Sequence, residues 1–510
     1  MFDLAALLPS AATKHPGSLF ILDAPMEIAP RYGGSLSYRQ MNEVVEATAV
    51  YLASQGVNKK DIVAVYKRQN PDILPLACAI ARVGAIPAMI SPELGSKEAA
   101  ELVARLAPKF LITSEGMSVE HPRTVLAGEI AEGTSDRAAS RSRLPSAPKP
   151  KAEEVYLITH TSGTTDLPKL VPQARRGTQM PITVQSAFAK ALGIRETFAL
   201  AMSFVHGRTF AAFATALRLG INVVLVSDPE ADNALPLLAE QRPGLLETHP
   251  NMAMSWEAQL AVDPTPLANV RAILSTFDAI HPRTVRRLMD SSSRRSPMLF
   301  QSYGQTETGP ISNKTYTRKN LLTADSRTVG HTFPIMTSVR ILDEAGRRVP
   351  RGEVGRISVR SKGMGLDYLQ ESERFSSNFA NGWWLMGDYG SVSRTGEVMM
   401  VDRGTDRLPG VHSVLRVEDH VTEAIQDIRE VVLVGDDQQQ FLTYTPYEGT
   451  TVSPERVLEA AGLRASDSLT VAEVDWRDIP MTSTWKVRRS VFLESLKSKD
   501  VSFSTQGGSI

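Results

Sequence analysis

The strongest candidate for chemistry in this sequence is a hydroxyl-rich loop that follows an apolar strand. The segment is VYLITHTSGTTDLPK, residues 155–169, and its phosphate-binding candidates are Thr161, Ser162, Gly163, Thr164, Thr165 and Lys169. Hydroxyls, backbone N–H groups near a glycine and a lysine ammonium all donate hydrogen bonds to phosphate oxygens. Pro168 stands where a Walker A motif requires its second glycine, so the loop is not of that type. It suits a polyphosphate, and a Ser/Thr-rich turn after a buried strand is the alternative interpretation.

Four later segments carry further polar side chains. They are SYGQTETG at 302–309, NGWWLMGD at 381–388, VDR at 401–403 and PMTSTWK at 480–486. The Glu307 carboxylate is a hard oxygen ligand suited to a Mg²⁺ that bridges phosphates. Asp388 could accept hydrogen bonds from both hydroxyls of a ribose, and Arg403 could fork to ribose or phosphate oxygens. Taken singly, each could instead be a structural or surface charge.

In this order and at this spacing, the five segments resemble the core motifs of the adenylate-forming superfamily. That superfamily includes acyl-CoA and aryl-CoA ligases, the adenylation domains of peptide synthetases, and luciferases. The resemblance extends from Leu36-Ser-Tyr38 to the C-terminal helix. It implies catalytic roles for Lys486 and His206, a metal-ligand role for Glu307, and cofactor-binding roles for the 161–165 loop, Lys169, Tyr303, Thr306, Asp388 and Arg403.

The resemblance also implies individual roles within this set. Tyr303 would pack on adenine, using a flat apolar face at small entropic cost. Lys486 would neutralise charge as a carboxylate attacks the α-phosphate. His206 would line the acyl pocket and gate the second substrate, although a lone histidine is commonly a packing residue. The other histidines lack metal-ligand spacing such as HExxH, and we assign no zinc.

The implied reaction has two steps. ATP and a small carboxylic acid first give acyl-AMP and pyrophosphate, with Mg²⁺ on the phosphates, and the acyl group then passes to a thiol. CoA or the phosphopantetheine of a carrier protein is the expected thiol. Two alternatives stay open, namely an amide-forming synthetase with an amine acceptor and a degenerate protein that only binds nucleotide and acid. The sequence does not identify the acid.

Four positions depart from the family pattern. Asp166 replaces a glycine in the phosphate loop, where a carboxylate should repel phosphates, and so slow adenylation, unless Mg²⁺ or Arg175 and Arg176 screen it. Phe277 stands in a segment that often contains two glycines, and could narrow the acid pocket. Thr405 occupies the hinge position, and hinges need only tolerate a backbone change. Trp485 replaces the glycine before Lys486, which makes thioester formation less secure than adenylation.

The elements that would position these side chains alternate between helix and strand. Apolar periodicity predicts helices at 41–52, 73–83 and 97–107, and strands at 61–66, 85–90 and 110–113. Residues 134–154 lack such periodicity and predict a surface loop. Helix 210–219 and strand 222–226 continue the pattern. Short apolar strands between helices predict an α/β fold with mostly parallel sheets covered on both faces.

The texture changes twice towards the C-terminus. Short strands at 339–342, 355–359 and 396–401 predict a β-rich subdomain at about 330–403 within an N-terminal domain of residues 1–403. A helix at 417–428, strands at 430–434 and 440–444, and a helix at 488–499 predict a small mobile α+β domain over 404–510.

Composition excludes several classes of protein. The 510 residues carry 56 basic and 56 acidic side chains, so the formal net charge is zero. The charge balance therefore does not favour nucleic acid as a partner. A hydrophobic fraction of 42% is typical of a globular chain and not of a disordered one. The single cysteine, Cys78, cannot form an intramolecular disulfide. The N-terminus lacks a signal-peptide pattern and no stretch predicts a transmembrane segment, so we expect a cytoplasmic protein.

Overall fold

The computed structural model describes residues 2–135, 144, 151–161, 167–276, 280–321, 325, 327–482, 486–498 and 503–504. The helices are α1 (Leu4–Lys14), α2 (Tyr38–Ser54), α3 (Ile73–Val83), α4 (Ser96–Leu106), α5 (Ala127–Ser135), α6 (Arg175–Ala191), α7 (Gly207–Leu219), α8 (Ala231–Gln241), α9 (Pro250–Ser255), α10 (Glu257–Val262), α11 (Pro282–Asp290), α12 (Ser372–Ser377), α13 (Val414–Ala424), α14 (Pro454–Ala461) and α15 (Arg489–Ser498).

The strands follow the same chain order. They are β1 (Leu19–Leu22), β2 (Ser35–Ser37), β3 (Ile62–Tyr66), β4 (Ile86–Ile90), β5 (Phe110–Thr113), β6 (Thr124–Leu126), β7 (Val155–His160), β8 (Leu170–Ala174), β9 (Phe198–Ala201), β10 (Val223–Leu225), β11 (Leu245–Thr248), β12 (Ala272–Ser275), β13 (Met298–Gln305), β14 (Gly309–Thr317), β15 (Thr328–Thr332), β16 (Thr337–Leu342), β17 (Gly355–Ser361), β18 (Phe379–Ala380), β19 (Trp383–Val392), β20 (Val398–Arg403), β21 (Ile428–Gly435), β22 (Gln440–Pro446), β23 (Leu469–Val474) and β24 (Phe503–Ser504).

Two large sheets form most of the molecule. A six-stranded sheet has the order β6-β5-β3-β4-β7-β8. Its neighbouring strands are parallel except for the antiparallel pair of β7 and β8. A 14-stranded sheet has a parallel centre, β1-β10-β9-β11-β12-β13, and continues through antiparallel strands β14-β15-β20-β19-β17-β16. The predicted mostly parallel α/β architecture is confirmed, and the β-rich segment forms the antiparallel end of the second sheet.

A layer of helices separates the two sheets. The largest hydrophobic core joins α2, α3 and α7 to strands of both sheets. Side chains alternate between strand faces, so in β9 Phe198 and Leu200 enter this core while Ala199 and Ala201 face a second core that includes α8 and α11. Helices therefore cover both faces of the parallel strands, as such sheets require.

A separate four-stranded sheet, β21-β22-β23-β24, follows residue 404 with its own hydrophobic clusters. Ion pairs join this region to the rest of the chain, including Arg327 with Asp419 and Arg488 with Glu98 at 3.1 Å. The division into domains of residues 1–403 and 404–510 stays a prediction.

Several predicted elements are confirmed, including the helix Ile73–Val83 and the strand Phe110–Thr113. The predicted helix 417–428 is wrong at its end, because α13 stops at Ala424 and β21 already begins at Ile428. The buried Ile425 and Ile428 prolong a helical spacing of apolar residues, but Ile425 has an extended backbone.

The predicted surface loop 134–154 lies mostly outside the described residues, and Thr134 itself belongs to α5. Among the helices that the structure describes, none has the length and apolar composition needed to cross a membrane.

Candidate active site

A cavity of about 750 Å³ extends along strands β11, β12 and β13, from Leu245 and Ala272 to Thr276 and Thr306, which follow the carboxyl ends of β12 and β13. Parallel strands end at the same edge of a sheet, and loops at that edge commonly form ligand sites. The predicted site residues that line the cavity are Thr161, Lys169, His206, Tyr303, Thr306, Glu307, Asp388, Arg403 and Lys486. Segments that are distant in sequence are thus brought together as the motif order suggested.

The hydroxyl-rich loop connects the antiparallel strands β7 and β8. At its base, the Thr161 N–H donates to the Lys169 carbonyl at 3.0 Å, and the Lys169 N–H donates to Thr161 Oγ1 at 3.0 Å. These two bonds hold Thr161 and Lys169 side by side at the cavity. The predicted residues Ser162, Gly163, Thr164 and Thr165, with the departure Asp166, lie outside the described residues.

The Tyr-Gly segment forms an irregular hairpin of β13 and β14, with a register shift between Tyr303 and Gly304. A side chain at Gly304 would collide with the Gly309 carbonyl, so the hairpin requires glycine there. This close approach carries Glu307 in the turn to the cavity wall, where the carboxylate accepts a 2.6 Å hydrogen bond from Tyr368 Oη.

Tyr368 was not singled out by sequence reasoning, since it lies in a segment, GLDYLQ, that matches no motif. Its hydroxyl orients Glu307, and its ring centroid lies 5.3 Å from the Lys169 ammonium. Burial and the Glu307 carboxylate raise the pKa of Tyr368, so the phenol keeps the proton that it donates. Tyr368 therefore contacts both the Glu307 carboxylate, through its hydroxyl, and the Lys169 ammonium, through its ring.

The aspartate and arginine motifs meet on neighbouring strands. Asp388 of β19 is the register partner of Arg403 of β20, and both line the cavity. Tyr303 Oη donates a hydrogen bond to Asp388 Oδ2, and burial, with Asp388 adding to it, raises the pKa of Tyr303. The phenol therefore stays a donor and orients the Asp388 carboxylate in the cavity.

Lys486 reaches the same cavity from the C-terminal part of the chain. An isolated bridge between Met481 and Val487 closes its loop, and the Lys486 N–H donates to Thr482 Oγ1 at 3.1 Å. The closure places the lysine among the residues of the N-terminal motifs. Trp485 lies outside the described residues, whereas Thr405 lines the cavity.

The half-buried His206 lines the cavity, and the buried His160 and His249 lie near it. Burial, with repulsion from His249 and His160 when they are protonated and from the Lys486 ammonium, lowers the pKa of His206 to about 3. Burial, with Lys486, also lowers the pKa of His249 to about 3. His206 is therefore neutral at physiological pH, and its Nδ1 accepts a hydrogen bond from the Arg208 N–H that begins α7. His206 therefore contributes an uncharged side chain to the cavity wall and not a positive charge.

These pKa values predict a pH-dependent stability. The unfolded histidines take up protons near pH 6.5, whereas the folded ones resist until about pH 3. The unfolded state thus binds more protons in this window, so the free energy of unfolding should fall as the pH drops from about 6.5 towards 3. The loss should approach about 1.4 kcal/mol per pH unit for each such histidine.

Urea denaturation between pH 7.5 and 4.5 measures this slope. His206→Gln should flatten it, and the matched change at the exposed His331, His331→Gln, should not. Equal slopes in the two variants would contradict the assignment.

The rest of the wall combines apolar side chains, polar side chains such as Gln185 and Gln301, and one charged pair. Phe188 and Phe300 meet edge to face, with ring centroids 4.8 Å apart, and both line the cavity. Arg208 of α7 also lines it and forms a two-bond ion pair with the fully buried Glu247 of β11. No motif announced this pair. Phe277, expected to narrow the pocket, lies outside the described residues.

The described side chains offer few ligands for a metal ion. Across the described ranges, no group of three or more His, Cys, Asp or Glu side chains could hold a metal ion. Glu307 alone fits a Mg²⁺ whose other ligands are phosphates and water, which is the usual arrangement for that ion.

Comparisons with known proteins agree with this geometry. The family described as AMP-binding enzyme matches residues 8–369. The 3-amino-2-hydroxy-4-methoxybenzoate diazotase of Streptomyces cremeus is 34% identical over 96% of this chain and 94% of its own length. The indoleacetate–CoA ligase of Aromatoleum aromaticum is 26% identical over 89% and 92%. The ATP-bound structure of MatB from Rhodopseudomonas palustris superposes with a TM-score of 0.78 at 20% identity, over 97% of this chain and 99% of that one, and supports the fold.

Proposed function

This chain belongs to the family of AMP-binding enzymes, and we propose that it uses ATP to convert a small oxyanion into its adenylate, with release of pyrophosphate. The observation that carries the proposal is the convergence of Lys486 with Lys169 and Arg403 on one cavity. Three cations beside Asp388 and Glu307 suit a triphosphate and a ribose. Positive charge at the α-phosphate is what such a transfer needs most.

We assign the ribose hydroxyls to Asp388, the adenine face to Tyr303 and the phosphates to the 161–165 loop, Lys169 and Thr306. Lys486 would hold the attacking oxyanion and the α-phosphate together. When bound, Mg²⁺ would neutralise phosphate charge beside Glu307. The neutral His206 would close the cavity between the nucleotide and the second substrate.

We further propose that the activated oxyanion is nitrite and that an aromatic amine accepts the nitroso group. Support comes from the 34% identity to a diazotase across 96% of this chain. A second diazotase, of 3-aminoavenalumate, is 24% identical over 78% of the chain. The Phe188 and Phe300 rings offer an aromatic substrate a wall of matching shape. An amine acceptor is one of the alternatives that the motifs left open.

The proposed steps balance without any external oxidant or reductant. A nitrite oxygen attacks the α-phosphorus and pyrophosphate leaves, giving the mixed anhydride of nitrous acid and AMP. The amine lone pair attacks the nitroso nitrogen, the bond from that nitrogen to the AMP oxygen breaks, and AMP leaves. The two amine hydrogens and the remaining nitrite oxygen depart as water, which leaves the diazonium group. Lys486 serves the first step, and His206 excludes water during the second.

Acyl transfer to a thiol is the second candidate, with CoA or a carrier-protein phosphopantetheine as acceptor. It is favoured by the 26% identity to indoleacetate–CoA ligase over 89% of this chain. The carboxylate would then be the adenylated group, and a small carboxylic acid the substrate. A cytoplasmic location suits either reaction and stays part of the proposal.

One assay separates the two candidates. The protein is incubated with ATP, Mg²⁺, nitrite and 3-amino-2-hydroxy-4-methoxybenzoate near pH 8, where uncatalysed nitrosation is slow. Pyrophosphate is measured, and the diazonium product is trapped with an electron-rich arene as an azo dye. We expect both signals to require nitrite and ATP. Thioester formation from the same acid with CoA, and no response to nitrite, would instead establish the thiol reaction.

A further inference from the structure

The structure assigns a second anion site to the active-site cavity, and this inference rests on the proposed function. We propose that Arg208 binds the carboxylate of the aromatic amine, the group that the proposed reaction leaves unchanged. The cations that line the cavity within the described residues are Lys169, Arg208, Arg403 and Lys486. Three of them belong to the nucleotide motifs, and Arg208 is left for another negative charge.

The carboxylate of Glu247 holds the guanidinium from below. Arg208 Nε and Nη2 donate to its two oxygens at 2.6 and 2.7 Å. In β11, Glu247 lies two residues beyond Leu245, which lines the cavity, so strand alternation turns both side chains to the cavity face of the sheet. A fully buried carboxylate is thus placed under the floor of the pocket, with the arginine above it.

Arg208 retains hydrogen-bonding capacity on the other side. A guanidinium has five N–H donors. Two are used by Glu247, and a third goes from Nη1 to Gln185 Oε1 at 3.1 Å. For the part of the chain that the structure describes, this leaves one N–H on each terminal nitrogen. The arginine side chain is 19% exposed, so a ligand in the cavity can reach it.

Stability alone is a weak reason for such a pair. Removing two charges from water is so costly that a buried ion pair often adds nothing relative to apolar residues of the same volume. Here the pair adjoins a wall of Leu245, Phe188 and Phe300. An arginine with spare N–H donors in the wall of this cavity suits a benzoate, with the ring on the apolar side chains and the carboxylate on the guanidinium.

The same geometry distinguishes the two substrate charges. Nitrite would occupy the site of Lys486, where the adenylate forms, while the benzoate carboxylate would lie on Arg208. The carboxylate then orients the amine and is never activated itself. The substrate class is therefore an aminobenzoate and not a neutral aniline.

The test compares 3-amino-2-hydroxybenzoate with its carboxamide, which has a similar shape and no negative charge. We expect the wild-type KM for the acid to be at least about 10-fold below that for the amide, since a hydrogen-bonded charge is being recognised. Arg208→Gln/Glu247→Gln removes both charges together and so avoids leaving a buried carboxylate unpaired. This double variant should bring the two KM values to within about threefold, mainly by raising the KM for the acid.

Arg82→Gln is the matched control, because Arg82 forms a 2.7 Å ion pair with Glu46 outside the cavity and its side chain is 11% exposed. It should leave the acid-to-amide ratio at the wild-type value. Arg208→Lys, which keeps the charge and loses the fork, should fall between the wild type and the double variant. An unchanged ratio in an active double variant would overturn the inference.

Calorimetric titration with the same two compounds, without nitrite, separates this inference from the proposed function. If the acid binds more tightly than the amide and the double variant loses that preference, the anion site stands even where no azo product forms. If azo product forms but the acid-to-amide KM ratio is the same in the wild type and the double variant, diazotisation is supported and the anion site is refuted. Absence of both binding and reaction with the acid would overturn both.

Discussion

Lys486→Ala is expected to lower the rate of adenylate formation by about 10²–10³-fold, with ATP affinity nearly unchanged. The lysine reaches the cavity on a loop of the C-terminal region, apart from the strands that carry the other cations. Its positive charge has most to stabilise when the attacking oxygen and the leaving pyrophosphate share the α-phosphorus. In the proposed function Lys169 and Arg403 would still hold the bound nucleotide, so the loss should fall on kcat.

Pyrophosphate release under saturating ATP, together with equilibrium binding of ATP, measures the two effects separately. Lys497→Ala is the matched control, because Lys497 lies on the following helix α15 and pairs with the exposed Asp436. The control should retain wild-type rates. Unchanged adenylate formation in Lys486→Ala would refute the role given to this lysine and, with it, the central step of the proposed function.

Asp388→Asn is expected to raise the KM for ATP by about 10–100-fold, the range for hydrogen bonds to a charged group. The carboxylate accepts from Tyr303 and lies beside Arg403, so its remaining lone pairs are directed by both neighbours. An amide can accept through only one atom, and its NH₂ group would face donors. Both ribose hydroxyls then compete for a single oxygen.

The effect should depend on the ribose. A comparison of ATP with 2′-deoxy-ATP provides the readout, since the variant should lose most of the discrimination that the wild type shows between them. Asp343→Asn is the matched control. Asp343 is a carboxylate of the same β-rich region, but it lies outside the cavity and pairs with Arg347 at a distance of 2.8 Å. Equal ATP KM values in wild type and Asp388→Asn would remove Asp388 from the nucleotide site.

The charged motifs could be predicted from the sequence because each lies next to a strong local signal. The apolar strand β7 precedes the hydroxyl loop, Gly304 and Gly309 flank the turn that carries Glu307, and Gly387 directly precedes Asp388. The AMP-binding family and the layered α/β fold followed from these segments and are confirmed. The acceptor did not follow, since the relatives include both diazotases and CoA ligases.

Most elements, and the candidate residues for nucleotide binding, could be predicted from the sequence, because periodicity and motif order are local properties of the chain. The tertiary structure was needed to show that Lys486 and Lys169 line one cavity, that Tyr368 donates a hydrogen bond to Glu307, and that Arg208 pairs with Glu247. These contacts join residues tens to hundreds of positions apart. They depend on how two sheets and a C-terminal region pack together. The buried Glu247 carboxylate, for example, needs a positively charged partner, and the fold supplies Arg208 of α7.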